Sequence, residues 1–308
     1  MYFSLTTFNL ENLGIRPGED SPEARRRLPA HMETLKGVIE NLNTDIICFQ
    51  EVIDTDLLRQ LTAGMGFTYA EFSRPPKNPL CMAVMSKFPI RRARNVVERA
   101  NIAVRDIDAD FNASISADFS RPVFEVEIEL PGNTLLLHTV HWKSKIPSAL
   151  SSGAGQTWPW ANFHEVAQGR LISEVTRMAQ ALCLRKILDA EIAAKPDGLF
   201  AVLGDFNDTA ESEAIRMITG DSRAVRNQEL ASLELWPCEA SLPPEKCYTM
   251  LYRGSKQMLD HIFVSRKLKE KFVSGNINHE GMKPARDGSW LDQRPGSDHA
   301  PFTVTFNI

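Results

Sequence analysis

The stretch that decides the fold is Asp45-Ile46-Ile47-Cys48-Phe49-Gln50-Glu51. Its apolar residues run on without alternation, which is typical of a β-strand buried on both faces. Leu199 to Gly204 shows the same pattern and likewise ends in a carboxylate, Asp205. Strands covered on both faces need further layers above and below them, so the two stretches predict a layered α/β fold.

Further strands and helices extend outward from these two strands. Alternating or continuous apolar runs predict strands at about 2–9, 67–72, 81–86, 123–129, 134–141, 258–265 and 303–308. Helical periodicity predicts helices at about 30–42, 54–64, 165–194 and 210–218. Because no repeat, low-complexity tract or linker-like change of composition interrupts the chain, we expect residues 1–308 to form a single domain.

The composition is that of an ordinary soluble chain. Its 308 residues are 43% hydrophobic and 24% charged, with a formal net charge of −4. This balance gives no bulk attraction to nucleic acid or to an anionic membrane, but a local group of cations could still hold an anionic ligand. With no signal peptide and no run of membrane-spanning length, we expect a cytoplasmic protein without a membrane span, an already trimmed export signal being the alternative.

The five cysteines include no Cys-x-x-Cys pair, which disfavours a zinc site built from thiolates. Cys48, Cys81 and Cys183 lie in apolar or helical patterns and are interpreted as buried thiols. Cys238 and Cys247 could form a bridge if the protein were exported, although nothing in the sequence requires it.

Polar residues recur where the apolar strands stop. Ligands of layered α/β proteins bind beyond strand ends, in loops that the sheet holds in place. If these strand ends converge, the site contains carboxylates, imidazoles and amides, a set of hard oxygen ligands that suits Mg²⁺ or Mn²⁺. The residues concerned are Asn9, Glu11, Glu51, His141, Asp205, Asn207, Asp260, Asp298 and His299.

In this order, the motifs resemble those of the endonuclease/exonuclease/phosphatase superfamily, and bacterial nuclease-like members in particular. The motifs are Asn9-x-Glu11, Gln50-Glu51, His141-Trp142-Lys143-Ser144, Gly204-Asp205-Phe206-Asn207-Asp208, Leu259-Asp260-His261 and Ser297-Asp298-His299-Ala300-Pro301. Each motif alone has modest specificity, but six in the right order span residues 9 to 302. The resemblance implies a four-layer sandwich, in which two mixed β-sheets pack face to face with helices outside.

The resemblance also implies a role for each residue. Glu51 stands where the family has its principal metal ligand, with Glu11 and Asp298 nearby. The expected catalytic residues are His299 as a general base or water-orienting group with Asp260 as its partner, and Asp205 as a group that activates or orients water. His141 would protonate or stabilise the leaving side of the phosphate, and Asn207 would hydrogen-bond a phosphate oxygen. We expect Asn9, Lys143 and Arg177 to bind substrate, whereas His261 follows Asp260 in a strand, points to the opposite face and is interpreted as structural.

The implied activity is metal-dependent hydrolysis of a phosphoester by in-line attack of water, with no obligate protein partner. DNA or RNA is the favoured substrate, and the loop with Trp158 and Trp160 could stack on a base. The alternatives are a small-molecule or lipid phosphohydrolase, similar to sphingomyelinases or inositol phosphate phosphatases, and a non-catalytic binding protein on the same fold. The intact acidic and imidazole residues argue against the last alternative.

Overall fold

The computed structural model describes residues 1–75, 78–105, 112–150, 160–285 and 295–308. Most of its strands belong to two six-stranded mixed sheets, and the remaining two form a small hairpin. The strands are β1 (Tyr2–Leu13), β2 (Ile46–Val52), β3 (Tyr69–Phe72), β4 (Cys81–Ser86), β5 (Ile90–Arg105), β6 (Asn112–Leu130), β7 (Asn133–His141), β8 (Leu199–Asp205), β9 (Trp236–Pro237), β10 (Met250–Tyr252), β11 (Ser255–Gln257), β12 (Asp260–Val264), β13 (Phe272–Ile277) and β14 (Phe302–Asn307).

The first sheet has the strand order β13-β14-β1-β2-β4-β3, and the second has the order β5-β6-β7-β8-β12-β9. Each sheet contains one parallel pair near its centre, β1 with β2 in the first and β7 with β8 in the second. The carboxyl ends of these central strands can therefore carry neighbouring functional groups.

Helices cover the outer faces of both sheets. They are α1 (Pro22–Leu42), α2 (Thr55–Leu61), α3 (Phe163–Ala194) and α4 (Glu213–Thr219), whereas the short α5 (Arg266–Lys269) contributes Leu268 to the core between the two sheets. Apolar residues of α1 and α2 pack on the first sheet, and those of α3 and α4 pack on the second. The layers are thus helix, sheet, sheet and helix, which confirms the predicted four-layer sandwich.

The position of β2 in the fold explains its apolar run from Ile46 to Phe49. Ile46 and Cys48 belong to the core between the two sheets, whereas Ile47 and Phe49 belong to the core beneath α1 and α2. Strand β8 is divided in the same way between the central core and the core beneath α3. Both strands are buried on two faces, as their sequences predict.

The structure departs from the sequence prediction at α1, at the hairpin of β5 and β6, and in the short elements β9, β10, β11, α5 and β13, which the sequence patterns did not indicate. Helix α1 begins at Pro22 instead of residue 30, because Ser21 caps it by accepting a hydrogen bond from the Ala24 N–H and proline suits the first helical turn. Strand β5 is absent from the sequence prediction, and β6 begins well before residue 123. Opposite charges, such as Arg91 and Glu129, pair across this long hairpin in place of a simple alternation of apolar and polar residues.

All five cysteines are free, so Cys238 and Cys247 are not bridged. Cys48, Cys81 and Cys238 are buried, and burial raises the pKa of the Cys81 thiol to about 11. None of the helices in the described residues combines the length and the apolar character needed to cross a bilayer.

Candidate active site

One edge of the sandwich collects polar side chains from both sheets. In the second sheet, the pairing register sets both His141 and Asp260 opposite Asp205. In the first sheet, Asn9 ends the regular pairing of β1 with β2. The predicted strand ends therefore converge on one region of the molecule.

Asn9 links the two sheets at this edge. Its side-chain amide donates to Oδ2 of Asp205 at 3.0 Å and lies 3.4 Å from Oε1 of Glu51. Its side-chain oxygen accepts the Glu11 N–H at 2.9 Å. With every polar atom of the amide engaged, Asn9 orients two carboxylates and is less available to a substrate than the sequence predicts.

His299 forms a buried pair with Asp260. Nδ1 of His299 lies 2.7 Å from Oδ2 of Asp260, and the Ser297 hydroxyl holds the loop by accepting the His299 N–H and donating to the Asn9 carbonyl. Burial by itself lowers the pKa of His299, but the charges of Asp260 and Asp205 outweigh it and hold this pKa well above the ordinary value. The ring therefore keeps its proton, with its orientation fixed by Asp260, and suits a hydrogen-bond donor better than the base that the sequence predicts.

Asp205 is buried beside this pair. Asn207 donates its backbone N–H to Oδ1 at 2.8 Å and its side-chain amide to Oδ2 at 2.9 Å. Burial raises the pKa of Asp205 to about 7, the charge of His299 opposes this shift, and those of Asp260 and Glu51 add to it. A carboxyl group with a pKa near neutrality suits proton transfer to or from water at physiological pH.

His141 accepts a hydrogen bond from an arginine that the sequence patterns did not indicate. Nη1 of Arg121 lies 2.8 Å from Nε2 of His141 and also donates to the Trp142 carbonyl at 2.9 Å. Because a guanidinium can only donate, Nε2 must carry the lone pair. Burial and the charge of Arg121 lower the pKa of His141 well below its ordinary value. His141 is therefore a neutral acceptor, and the predicted role of proton donor to the leaving group does not fit this geometry.

Arg121 escapes the sequence prediction because that prediction follows the carboxyl ends of strands. Strand β6 runs antiparallel to β7, so the amino-terminal part of its paired segment lies at the edge where β7 ends. The signal in the sequence is a charged residue between two buried ones, Phe119 and Val123. A search for polar residues at both ends of antiparallel strands would have found Arg121.

Three of the predicted site residues have a strained backbone. Glu11, Glu51 and Asn207 have φ values of 50°, 62° and 53°, in the left-handed region. Asparagine tolerates this conformation, but it is costly for glutamate. Strain of this kind persists where the surrounding structure imposes it, and it is concentrated at functional sites.

Glu11 reaches the site already paired with a cation. Its Oε2 lies 2.8 Å from Nζ of Lys283 and accepts the Asp298 N–H at 3.0 Å. Glu11 therefore fixes the loop of Asp298, and a metal ion would have to share its carboxylate with Lys283.

Glu51 and Asp298 are better suited to a divalent cation. In the described part of the chain, neither carboxylate contacts a lysine or an arginine. A second set of donor atoms, from Asp205, Asp260 and His299, lies within 4.8 Å of one another, and Oδ1 of Asp260 has no hydrogen-bond partner among the described residues. Mostly oxygen donors, among which Glu51 and Asp298 contact no lysine or arginine in the described residues, fit a divalent cation.

Arg177 does not face the cleft, which corrects its prediction as a substrate-binding residue. The side chain is 3% exposed, and its Nε donates to Oδ2 of Asp208 at 3.2 Å. Nη1 donates to the Lys143 carbonyl at 3.1 Å, and Glu174 pairs with Nη2. Arg177 thus contacts the loop of Lys143 and the loop of Asp208 from α3, which packs on the outer face of the second sheet.

Lys143 is half-buried, and its ammonium group donates to the carbonyls of Ser144 and Ile146. Burial lowers the pKa of Lys143 to about 8, and the charges of Arg121 and Arg177 act in the same direction. No carboxylate contacts Lys143 in the described residues, so its charge is available to an anion.

Two further predictions concern side chains around the site. His261 is buried on the opposite face from Asp260, where Nδ1 contacts Glu239 and Nε2 donates to the Asp208 carbonyl at 2.9 Å, as a structural residue would. Trp158 lies outside the described residues. Trp160 is half-buried and donates to the Ser148 carbonyl.

Comparison with known proteins agrees with this architecture. The family model described as Endonuclease/Exonuclease/phosphatase family matches residues 6–299. A search of curated proteins finds no match. Solved structures with a similar fold include TDP2 of Caenorhabditis elegans, with 16% identity and a TM-score of 0.60 over 100% of this chain and 75% of that chain.

Two more structures share the fold. The catalytic domain of human Nocturnin has 15% identity and a TM-score of 0.61, covering 99% of this chain and 94% of its own. The 3′-5′ exonuclease of Neisseria meningitidis has 17% identity and a TM-score of 0.57, covering 99% of this chain and 100% of its own. These structures share the fold, and the nearly complete match to the family model shows that this chain belongs to the Endonuclease/Exonuclease/phosphatase family.

Proposed function

We propose that the chain is a metal-dependent phosphodiesterase that cleaves nucleic acid by attack of water on phosphorus. Phosphoester hydrolysis is the chemistry of its family, and the similar structures include a 3′-5′ exonuclease. The observation that carries the proposal is the convergence of Asp205 and the His299–Asp260 pair on one strand-end edge with Glu51.

Three cations near this edge support an anionic substrate. Arg16, Arg121 and Lys143 contact no carboxylate within the described residues and instead donate to amide, imidazole or carbonyl groups. The charges of Arg16 and Arg121 both act on buried His141, which places them around the same region. A phosphodiester would be an anionic partner for these three cations.

Mg²⁺ or Mn²⁺ would be held by Glu51 and Asp298 and, when bound, would neutralise phosphate charge and stabilise the leaving oxygen. Asp205 accepts the proton of the attacking water, since its pKa lies near neutrality. His299 keeps its proton next to Asp260 and donates to a phosphate oxygen through Nε2. Arg121 and Asn207 stabilise the negative charge that develops on the phosphoryl oxygens.

A cavity beside the site supports a second candidate, a small-molecule phosphoester. It has a volume of about 720 Å³ and extends from Glu11 along the start of α1, where Arg16, Arg26 and Arg27 line it. This volume falls within the range of small-ligand pockets. The alternative substrates are therefore sugar or inositol phosphates and lipid head groups.

One assay panel tests the proposed function. Plasmid nicking, hydrolysis of sphingomyelin and release of phosphate from inositol phosphates would be measured with Mg²⁺, with Mn²⁺ and with EDTA. We expect nicking that requires the divalent cation and is lost in Glu51→Gln, whereas Arg91→Gln, at an exposed ion pair with Glu129 on the hairpin of β5 and β6, serves as a control. Cleavage of the small substrates alone would overturn the assignment to nucleic acid, and no cleavage of any of them would overturn hydrolysis.

A further inference from the structure

A second group of potential ligands lies on the outer face of the second sheet. It comprises Glu125 on β6, His138 on β7 and Glu191 on α3, and their donor atoms all lie within 4.8 Å of one another. His138 precedes His141 by three residues, so the two side chains point to opposite faces of β7. This group is therefore separate from the strand-end site.

His138 has no satisfactory partner in its buried position. The side chain is fully buried, and neither of its ring nitrogens makes a hydrogen bond to any described residue. Its Nε2 nevertheless lies 3.3 Å from Oε2 of Glu191 and 3.7 Å from Oε2 of Glu125. Nε2 is thus too far from the Glu125 oxygen and not aligned with the Glu191 oxygen for a hydrogen bond, and a buried polar group left in this way is costly.

The distances match those between the ligands of a tetrahedral metal ion. Bonds of roughly 2.0–2.2 Å at tetrahedral angles place neighbouring ligand atoms about 3.4 Å apart. One imidazole nitrogen with two carboxylate oxygens is a donor set for Zn²⁺ and related transition metals, not for Mg²⁺. We propose that Glu125, His138 and Glu191 bind a dication of the Zn²⁺ class that joins α3 to the second sheet.

The charges around the group are compatible with such an ion. Glu125 is held by two arginines of β5: Arg94 donates to Oε1 at 2.9 Å and to Oε2 at 3.1 Å, and Arg92 lies 3.1 Å from Oε1. These contacts orient the carboxylate and leave a lone pair of Oε2 for another partner. Arg92 and Arg94 already offset the charge of Glu125, so a metal ion would share this carboxylate with them, whereas no lysine or arginine contacts Glu191 in the described residues.

A proton is the competitor of the metal ion. Burial lowers the pKa of His138, but the contacts and charges of Glu125 and Glu191 outweigh this and raise it. An imidazolium could therefore occupy the space between the two carboxylates, and the metal must displace its proton. The proton and the metal ion would bind the same lone pair of Nε2. They therefore exclude each other, and an experiment that detects one of them at Nε2 distinguishes the two states.

The position of the ion in the fold gives it a structural role. Helix α3 carries Arg177, which holds the Asp208 loop, and Gln180, whose side-chain oxygen accepts the Lys143 N–H at 3.2 Å. A metal ion that ties α3 to β6 and β7 would stabilise the helix that holds these loops. Its removal should lower thermal stability without removing any group from the cleft.

The test uses the full chain, stripped of metal with a chelator and then titrated with Co²⁺ or Zn²⁺. Glu51→Gln serves as the background because it removes the main ligand of the cleft. In this background we expect one Co²⁺ with the visible absorption of a tetrahedral site, and a rise in the melting temperature with Zn²⁺. Adding Glu191→Gln, at a partly exposed position, should weaken Zn²⁺ binding by at least about 100-fold.

The opposite results would overturn the proposal. They are the absence of tetrahedral Co²⁺ absorption in the Glu51→Gln protein, or Zn²⁺ binding that is unchanged by Glu191→Gln. Nitrogen NMR of His138 gives an independent readout that does not depend on the folding of any variant. A ring protonated on both nitrogens and insensitive to Zn²⁺ would identify the buried imidazolium instead. These outcomes do not involve hydrolysis, so they are independent of the proposed function.

Discussion

At the scale of single residues, Arg121 and His141 form a pair in which Arg121 carries the positive charge and His141 accepts the hydrogen bond. The guanidinium faces an imidazole that is buried and holds no proton on Nε2, so all the positive charge of the pair resides on Arg121. The carboxylates of Glu51 and Asp205 each have an oxygen 3.5 Å from Nε2 of His141. This arrangement favours Arg121 as the residue that stabilises the transition state.

Replacing Arg121 by glutamine should therefore lower turnover by about 10²–10³-fold, the usual effect of removing one group that stabilises developing charge. The pKa of His141 should rise at the same time, because one of the causes that lower it is gone. Steady-state kinetics and NMR titration of the histidines measure the two effects. Turnover like that of the exposed control Arg91→Gln would refute the role of Arg121.

Asp205 is expected to make the folded protein less stable as pH rises. Its pKa is raised from 3.8 to about 7 in the folded state, chiefly by burial, so between these values the folded protein binds more protons than the unfolded chain. The associated stability is fully present below about pH 4 and is lost as pH increases through about 7. Asp205 would thus contribute to function at a cost in stability.

Substituting Asp205 with asparagine should abolish activity and also make unfolding less dependent on pH. We expect the variant to gain up to roughly 4 kcal/mol relative to the parent between pH 4 and pH 8, because a shift of one pKa unit corresponds to about 1.4 kcal/mol. Urea unfolding of both proteins at the two pH values, in EDTA, measures this difference. Parallel stability curves would show that the carboxyl group titrates normally.

At the scale of elements, the close approach of β7 and β8 brings His141 next to Asp205. Gly204 permits this approach: a Cβ atom at this position would lie 2.0 Å from the Val140 carbonyl oxygen, and its φ is 141°. Only glycine combines this backbone with so little space. Glycine is thus required before Asp205 both by the close packing of β7 and β8 and by the backbone conformation.

Gly204→Ala should consequently destabilise the protein by more than a change that alters backbone freedom alone. Gly132→Ala is the matched control, because Gly132 also has a positive φ, 73°, but a Cβ atom added there would meet no atom within 4 Å. The control should cost about 1 kcal/mol, and Gly204→Ala roughly 1–3 kcal/mol more because of overpacking. Chemical denaturation of the two variants tests this order, which an equal loss of stability would contradict.

The burial of Arg177 leads to a prediction for α3. Changing Arg177 to alanine leaves buried Asp208 without one of its two cations, the other being Lys145, whose Nζ lies 2.8 Å from Asp208. We expect a loss of about 3–5 kcal/mol in the free energy of unfolding. The KM of the folded fraction should change little. A large rise in KM with unchanged stability would restore the substrate-binding role predicted from the sequence.

At the scale of the whole molecule, the sequence predicted a layered fold and the convergence of the strand-end residues for the same reason. Strands such as Ile46–Val52 are apolar because both faces are covered, and a polar group after such a strand must lie at the edge of the sheet. The sequence could not show Arg121 in the site or Arg177 behind it. Their positions depend on which strands and helices become neighbours in space, which local patterns do not encode.

The central claim is that the strand-end edge hydrolyses phosphoesters with His299 in the reaction. Its most direct test is the turnover of His299→Ala with Mg²⁺ on plasmid DNA, measured beside its melting temperature. We predict a loss of turnover by at least about 10³-fold with the melting temperature nearly unchanged. Near-normal turnover of a folded His299→Ala protein would contradict this claim.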